Sequence, residues 1–204
     1  MRLLRRIAFF LVWLLELVLV ASAVLGLAAW LWSGTDGSLA TAIRQAQALL
    51  PAGQSLQVQD VSGSIRGGGR IGQLHWHGDG LDVRAGDLRF AWQPLELLQR
   101  RLRFTELAIA QLEIDDQRPA SEPEPPPEVV LPLALELPFS VGRVRLLRPS
   151  PVDVTELAGR YRFSDNRHQL QLDTLALAQG RYAGQLHLQA RAPMTLDLQL
   201  HGTL

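Results

Sequence analysis

Few side chains in this chain have the type and spacing to do chemistry. The run Gly67-Gly68-Gly69-Arg70-Ile71-Gly72 fits G-x-G-x-x-G, which cradles pyrophosphate when a strand precedes it and a helix follows to aim backbone N–H groups. Here Gln73-Leu74-His75-Trp76-His77 follows with alternating polarity, so the glycines read as a turn. His75 and His77 lie two apart and could present two imidazoles to a metal, but no third ligand stands near them in sequence. They point opposite to Leu74 and Trp76, as exposed strand histidines do, and His168, His187 and His201 occupy similar polar positions. The absence of cysteine excludes disulfides and thiolate metal sites. Nothing else assembles into a Ser-His-Asp arrangement, a paired-carboxylate cleft or a phosphate loop. The chain is expected to be no enzyme and to carry no cofactor. A formal net charge of zero gives no reason to expect a nucleic acid partner.

The remaining reactive-looking residue is Glu16, and its setting decides which solvent the chain meets. It sits near the middle of Ile7 to Trp32, a run of 26 residues that is otherwise uncharged. A bilayer core of roughly 30 Å needs only about 20 helical residues. A signal peptide has an apolar region of about 7 to 15 residues and a small-residue cleavage site. This run is longer and ends in Trp30 and Trp32, with Trp13 inside it; tryptophan suits the headgroup level. The stretch reads as a retained transmembrane signal anchor. A central charge costs about 3 kcal/mol, while each Leu, Ile, Val or Phe returns about 0.3 to 0.6, so insertion prevails. Glu16 is either a contact for another membrane helix or a tolerated, protonated acid. Arg2, Arg5 and Arg6 precede the run and the next basic residue is Arg44, so the N-terminus is expected in the cytoplasm and the remainder outside.

After the anchor, Thr35, Asp36 and Ser38 are candidate N-caps, and Leu39, Ala42, Ile43, Ala46 and Leu49 recur at helical spacing until Pro51 and Gly53. This is a short amphipathic helix, expected to cover the open end of the segment after it. From Leu56 the period becomes two. Leu56-Gln57-Val58-Gln59, Leu74 to His77, Leu81 to Arg84 and Leu88 to Trp92 alternate, with turns expected at Gly67 to Gly69, Gly78 to Gly80 and Gly86-Asp87. Pro94 opens a helical turn, and alternation resumes over Phe104 to Ile114. Arg118 to Pro132 is rich in proline and glutamate and reads as a loop. Beyond it the alternation returns and continues to the end without a closing motif, as expected of a piece of a longer chain. The divisions are a cytoplasmic tail 1–6, an anchor 7–32, a capping helix 33–53, sheet 54–117, a loop 118–132 and continuing sheet 133–204.

The informative feature is one long apolar face. Its expected members are Leu56, Val58, Leu74, Trp76, Leu81, Val83, Leu88, Phe90, Trp92, Leu133, Leu135, Leu137, Phe139, Leu170, Leu172, Leu186, Leu188, Leu196 and Leu198. An antiparallel sheet of this kind can close on itself as a sandwich or barrel. Alternatively it curls into an open trough filled by ligand. A lipid with two chains of about 16 carbons loses on the order of 25 kcal/mol if its chains cross water bare, and an apolar trough removes most of that barrier.

The order of anchor, Thr35-Asp36-Gly37-Ser38, Val61-Ser62-Gly63-Ser64, Ile71-Gly72-Gln73-Leu74-His75-Trp76 and the block Phe90 to Ile114, FAWQPLELLQRRLRFTELAIAQLEI, resembles the N-terminal part of the TamB family in the AsmA-like group. The resemblance covers Met1 to Ile114 and continues afterwards as strand character alone. A glycine often precedes the second strand of that block in the group; here Gln99-Arg100-Arg101 stands there. The resemblance implies a mainly β, taco-shaped groove, anchored by one helix in the inner membrane of a Gram-negative envelope. It implies phospholipid moving along the groove through the periplasm toward the outer membrane. The alternative role it implies is assembly of autotransporters and outer-membrane proteins. A TamA-like barrel would be met through a C-terminal domain that these residues do not include.

Overall fold

The computed structural model describes residues 2–118, 128–148 and 150–203, with side chains from Glu16 onward. Trp13's side chain and most of the proline-rich loop therefore lie outside the described residues. Helix α1 spans Arg2–Ser33 and α2 spans Ser38–Ala48. Nine strands follow: β1 Ser55–Ser64, β2 Gly68–Gly78, β3 Leu81–Trp92, β4 Arg101–Asp116, β5 Ala134–Leu146, β6 Val152–Ser164, β7 Arg167–Leu177, β8 Gly180–Gln189 and β9 Leu196–Thr203. They form a single sheet in chain order, with β1 and β9 at its two edges. The sheet is open, the groove-like arrangement expected, and neither a sandwich nor a barrel. Alternation carries no direction, and one pairing departs from the expected hairpins: β4 and β5 run parallel, Arg101 beside Ala134 and Ile114 beside Leu146. Returning along β4 takes about 50 Å at roughly 3.3 Å per residue. Residues 117–133 can reach at most about 58 Å, so the linker is long enough.

A crease crosses the sheet and explains why the strands are longer than their apolar blocks. Asp60, Asp87 and Glu156 take left-handed backbone, with φ of 55°, 50° and 54°. The register sets Asp60 opposite Gly72, Gly72 opposite Asp87, Asp87 opposite Ala110, Ala110 beside Gly142, and Gly142 opposite Glu156. A Cβ on Gly72 would stand 2.7 Å from the Asp60 Cβ, and one on Gly142 would stand 2.8 Å from the Ala110 carbonyl oxygen. β1 to β6 thus change the parity of their apolar positions along the same line. Apolar residues at odd positions before the slip, such as Leu81, Val83 and Ala85, stay on the same face as Leu88, Phe90 and Trp92 after it. The expected turn at Gly86-Asp87 is therefore this bulge inside β3, and Leu81–Trp92 is one strand. In the same way Leu170, Leu172, Leu175 and Leu177 all belong to β7, with a register shift between Leu172 and Leu175. The first tight turn is Ile65–Gly67, and Gly68 and Gly69 already pair in β2.

Among the described residues only seven apolar side chains are buried: Leu39, Ile71, Ala85, Val141, Val144, Phe163 and Ala190. The chain exposes 14704 Å², against about 9,500 Å² for a compact monomer of its mass. The single-layer sheet and the bare helix α1 both contribute. Among the described residues α1 alone is long and apolar enough to cross a membrane, and none of its stretch Glu16–Ser33 is buried. Glu16 and Trp32 are exposed and Trp30 is 38% exposed.

None of the expected N-caps serves α2, because Gly37 occupies that position in left-handed backbone and Ser38 is already helical. The Ser38 Oγ instead donates to the Ser33 carbonyl at 3.1 Å and accepts from the Ile65 N–H at 3.1 Å, while the Arg66 N–H donates to the same carbonyl at 3.0 Å. These bonds fasten the end of α1 to the β1–β2 turn. Leu39 packs onto Gly69, where an added Cβ would come within 2.6 Å of it, and Gln47 Nε2 donates to the Leu56 carbonyl at 2.9 Å. α2 thus lies along β1. Its expected apolar stripe is only partly covered: Leu39 is buried, whereas Ala46 and Leu49 are exposed.

Candidate functional site

The site is a face rather than a cleft. Cross-strand register turns the apolar positions into rows that run across the sheet. One row is Leu56, Trp76, Val83, Ile114, Leu146 and Val152. A second is Val58, Leu74, Ala85, Leu112, Val144, Val154 and Leu177. Beyond the crease Leu88 faces Ile71 and Ile109, Phe90 faces Leu107, and Trp92 faces Phe104 with ring centroids 6.5 Å apart. In the second half Leu137, Tyr161, Leu170, Leu186 and Leu198 form one row, and Phe139, Gly159, Leu172 and Gly184 another. Leu135, Phe163, His168, Leu188 and Leu196 make a third. Leu81 begins β3 at the far end of the same face. Leu133 lies in the bend just before β5 and not in the strand. Ile71, Ile109, Leu112, Ile114, Val141, Val144, Leu157, Tyr161 and Phe163 join the face as well, although sequence reasoning left them out of it. Their odd and even positions disagree across the crease; that shift of parity within one strand was the available signal.

These side chains are mostly half-buried, because they touch neighbours within the sheet and, among the described residues, no second sheet covers them. The two ends of the face differ. At the α1 end, α2 lies along β1 with Leu39 on Gly69 of β2, and Val129 lies against β7. His168 shows the latter contact and departs from expectation: it is buried on the apolar face, not exposed on the polar one. Its spacing of two from Leu170 and Leu172 carried that information. Its Nε2 lies 2.7 Å from the Val129 carbonyl and its Nδ1 lies 2.6 Å from the Tyr161 hydroxyl. A carbonyl only accepts, so Nε2 donates and Nδ1 accepts from Tyr161. Burial pushes the Tyr161 hydroxyl up, which keeps it a donor.

The opposite face is polar and cross-linked by charge. Glu113 bridges Arg84 at 3.0 Å and Arg145 at 3.8 Å, Arg145 reaches Asp153 at 3.2 Å, and Glu136 joins Arg103 and Arg162 at 3.5 and 3.1 Å. His75 and His77 belong here, as expected, and meet Asp82 at 2.7 and 3.5 Å. The His75 hydrogen bond holds the Asp82 carboxyl below the usual carboxylate range. Among the described residues no cluster of three or more His, Cys, Asp or Glu could hold a metal. The arrangement offers a charged exterior and an extended apolar surface.

A family model described as TamB, N-terminal domain, matches residues 24–141. No curated protein and no solved structure matches the chain.

Proposed function

This chain belongs to the TamB family, whose N-terminal domain it carries, and on that premise we propose that it is a conduit moving phospholipid from the inner toward the outer membrane, acyl chains lying on the apolar face. The family is anchored in the inner membrane, and α1 has the length and apolarity of such an anchor. In this reading Arg2, Arg5 and Arg6 stay cytoplasmic, the sheet stands in the periplasm, and no bond is made or broken. The observation that carries it is an apolar face continuous through all nine strands and, among the described residues, covered only at its α1 end. Hydrocarbon is the natural complement of such a surface, since each CH₂ kept from water is worth about 0.8 kcal/mol. Nine strands at about 4.8 Å extend the face over about 40 Å, a portion of a bridge between two membranes. A TamA-like barrel is the partner expected through the family's C-terminal domain. The runner-up is direct assembly of outer-membrane proteins, in which an exposed strand edge of such a sheet captures a barrel strand.

Arginine substitutions separate these readings. A charge on a hydrocarbon path costs about 3 kcal/mol, roughly a hundredfold in rate. Delivery of newly made phospholipid to the outer membrane should therefore collapse in Val83→Arg and in Leu172→Arg and stay normal in Gln171→Arg. Normal delivery in all three would contradict the conduit.

A further inference from the structure

We propose that the 3₁₀ turn Pro94–Gln99 is a membrane foot, with Leu95 and Leu98 inserted in the headgroup and upper acyl region of the leaflet from which α1 emerges. The turn begins with proline and ends in left-handed Arg100. It buries no residue of its own; Leu95 is 61% exposed and Leu98 is 84% exposed. Water is a poor solvent for such a cluster, and no other described residue covers it. Its position supplies the covering phase. Trp30, one turn before the end of α1, shares with Ile65, Trp92, Pro94, Leu95, Leu97 and Leu98 an apolar cavity of about 450 Å³. Trp30 to Ser33 is about 4.5 Å of helix rise, so the leucines sit level with the tryptophan that marks the interface of the anchor. The foot thus continues a surface that already meets lipid.

The surrounding groups fit phospholipid. Arg66 stacks over the Trp30 ring at 4.8 Å and its Nη1 donates to the Trp30 carbonyl at 3.4 Å, which leaves other N–H groups for phosphate. Arg100 and Arg101 are exposed directly after the turn. Arginines beside apolar side chains at one level match the phosphate-over-acyl order of a leaflet. The Trp92 Nε1–H donates to the Ile65 carbonyl at 2.6 Å, holding the turn between α1 and the apolar face. The sheet end would then be seated on the membrane by two points, α1 and the foot, whether or not lipid moves along the sheet.

The chain has no cysteine, so single Leu98→Cys, Leu95→Cys and Gln171→Cys variants of the full chain can each carry one environment-sensitive fluorophore. In vesicles of zwitterionic and anionic phospholipid, the labels at 95 and 98 should be quenched several-fold more by nitroxide-bearing lipid than by aqueous iodide. The label at 171 should show the reverse. Labels at both 95 and 98 as open to iodide as that at 171 would overturn the proposal. Shielding of both from both quenchers, as in a contact with a second copy, would overturn it too. Two positions guard against one variant folding poorly. Failure of lipid delivery in the arginine series would leave these readings unchanged, so the two outcomes are distinguishable.

Discussion

Asp82 gathers more partners than any other acid on the polar face: His75 at 2.7 Å, Arg84 at 3.2 Å and His77 at 3.5 Å. The hydrogen bond from His75, with help from the nearby charges, lowers its pKa. A carboxyl whose folded pKa lies below its unfolded value of about 3.9 stabilises the protein above that value and ceases to as pH falls through the folded one. Near neutral pH, Asp82→Asn should cost up to about 1 kcal/mol, since the partners are half-exposed. The gap between the two denaturant midpoints should narrow once the pH drops below about 3.9; an undiminished gap in acid would contradict this assignment. Arg100 supplies a second test. Its φ of 58° and ψ of 32° place it where the resemblance expects glycine, so the turn geometry survives without the residue that suits it best. Left-handed backbone costs a non-glycine residue roughly 1 kcal/mol. Arg100→Gly should raise the unfolding midpoint and Arg100→Val should lower it. At this scale the histidines show what a sequence does convey: the polar setting of His75 and His77 is readable from their neighbours, whereas His168 is legible only when its spacing is weighed above its chemistry.

At the scale of elements, the strands were legible and their lengths were not. Alternation identifies blocks such as Leu81 to Arg84 and Leu88 to Trp92, yet a change of parity between blocks reads equally as a turn or as a bulge. The structure resolves it through Asp60, Asp87 and Glu156, which take left-handed backbone on β1, β3 and β6 along the crease. Asp is among the residues that enter this region at least cost, so Gly86-Asp87 carried a local signal that pointed to either outcome. Removing the slip tests it. Deletion of Asp87 would turn Leu88, Phe90 and Trp92 onto the charged face, whereas Asp87→Gly keeps the bulge and loses only the ion pairs to Arg70 and Arg89. The deletion should abolish cooperative unfolding, followed by circular dichroism, and the glycine variant should unfold cooperatively at a midpoint close to the parent's. Equal stability of the two would show that the crease does not hold the faces apart. The parallel pairing of β4 with β5 had no signature, because alternation is the same in both directions of a strand.

For the molecule as a whole, composition and alternation indicated a β protein with an apolar anchor, and they left the number of layers open. A face of leucines can be the inside of a sandwich or the lining of a trough, and the distinction rests on what packs opposite it, which is non-local. Among the described residues the sheet is one layer, so its apolar face lies open on one side. The most direct test is a photo-crosslinking amino acid placed singly at Val58, Trp76, Val83, Phe90, Leu172 and Leu188 on the apolar face, and at Gln57 and Arg89 on the polar one, in cells whose phospholipids are labelled. The conduit predicts labelled phospholipid captured from all six apolar positions and from neither polar one. Equal capture from both faces, or capture of nascent outer-membrane proteins in place of lipid at the apolar positions, would contradict it.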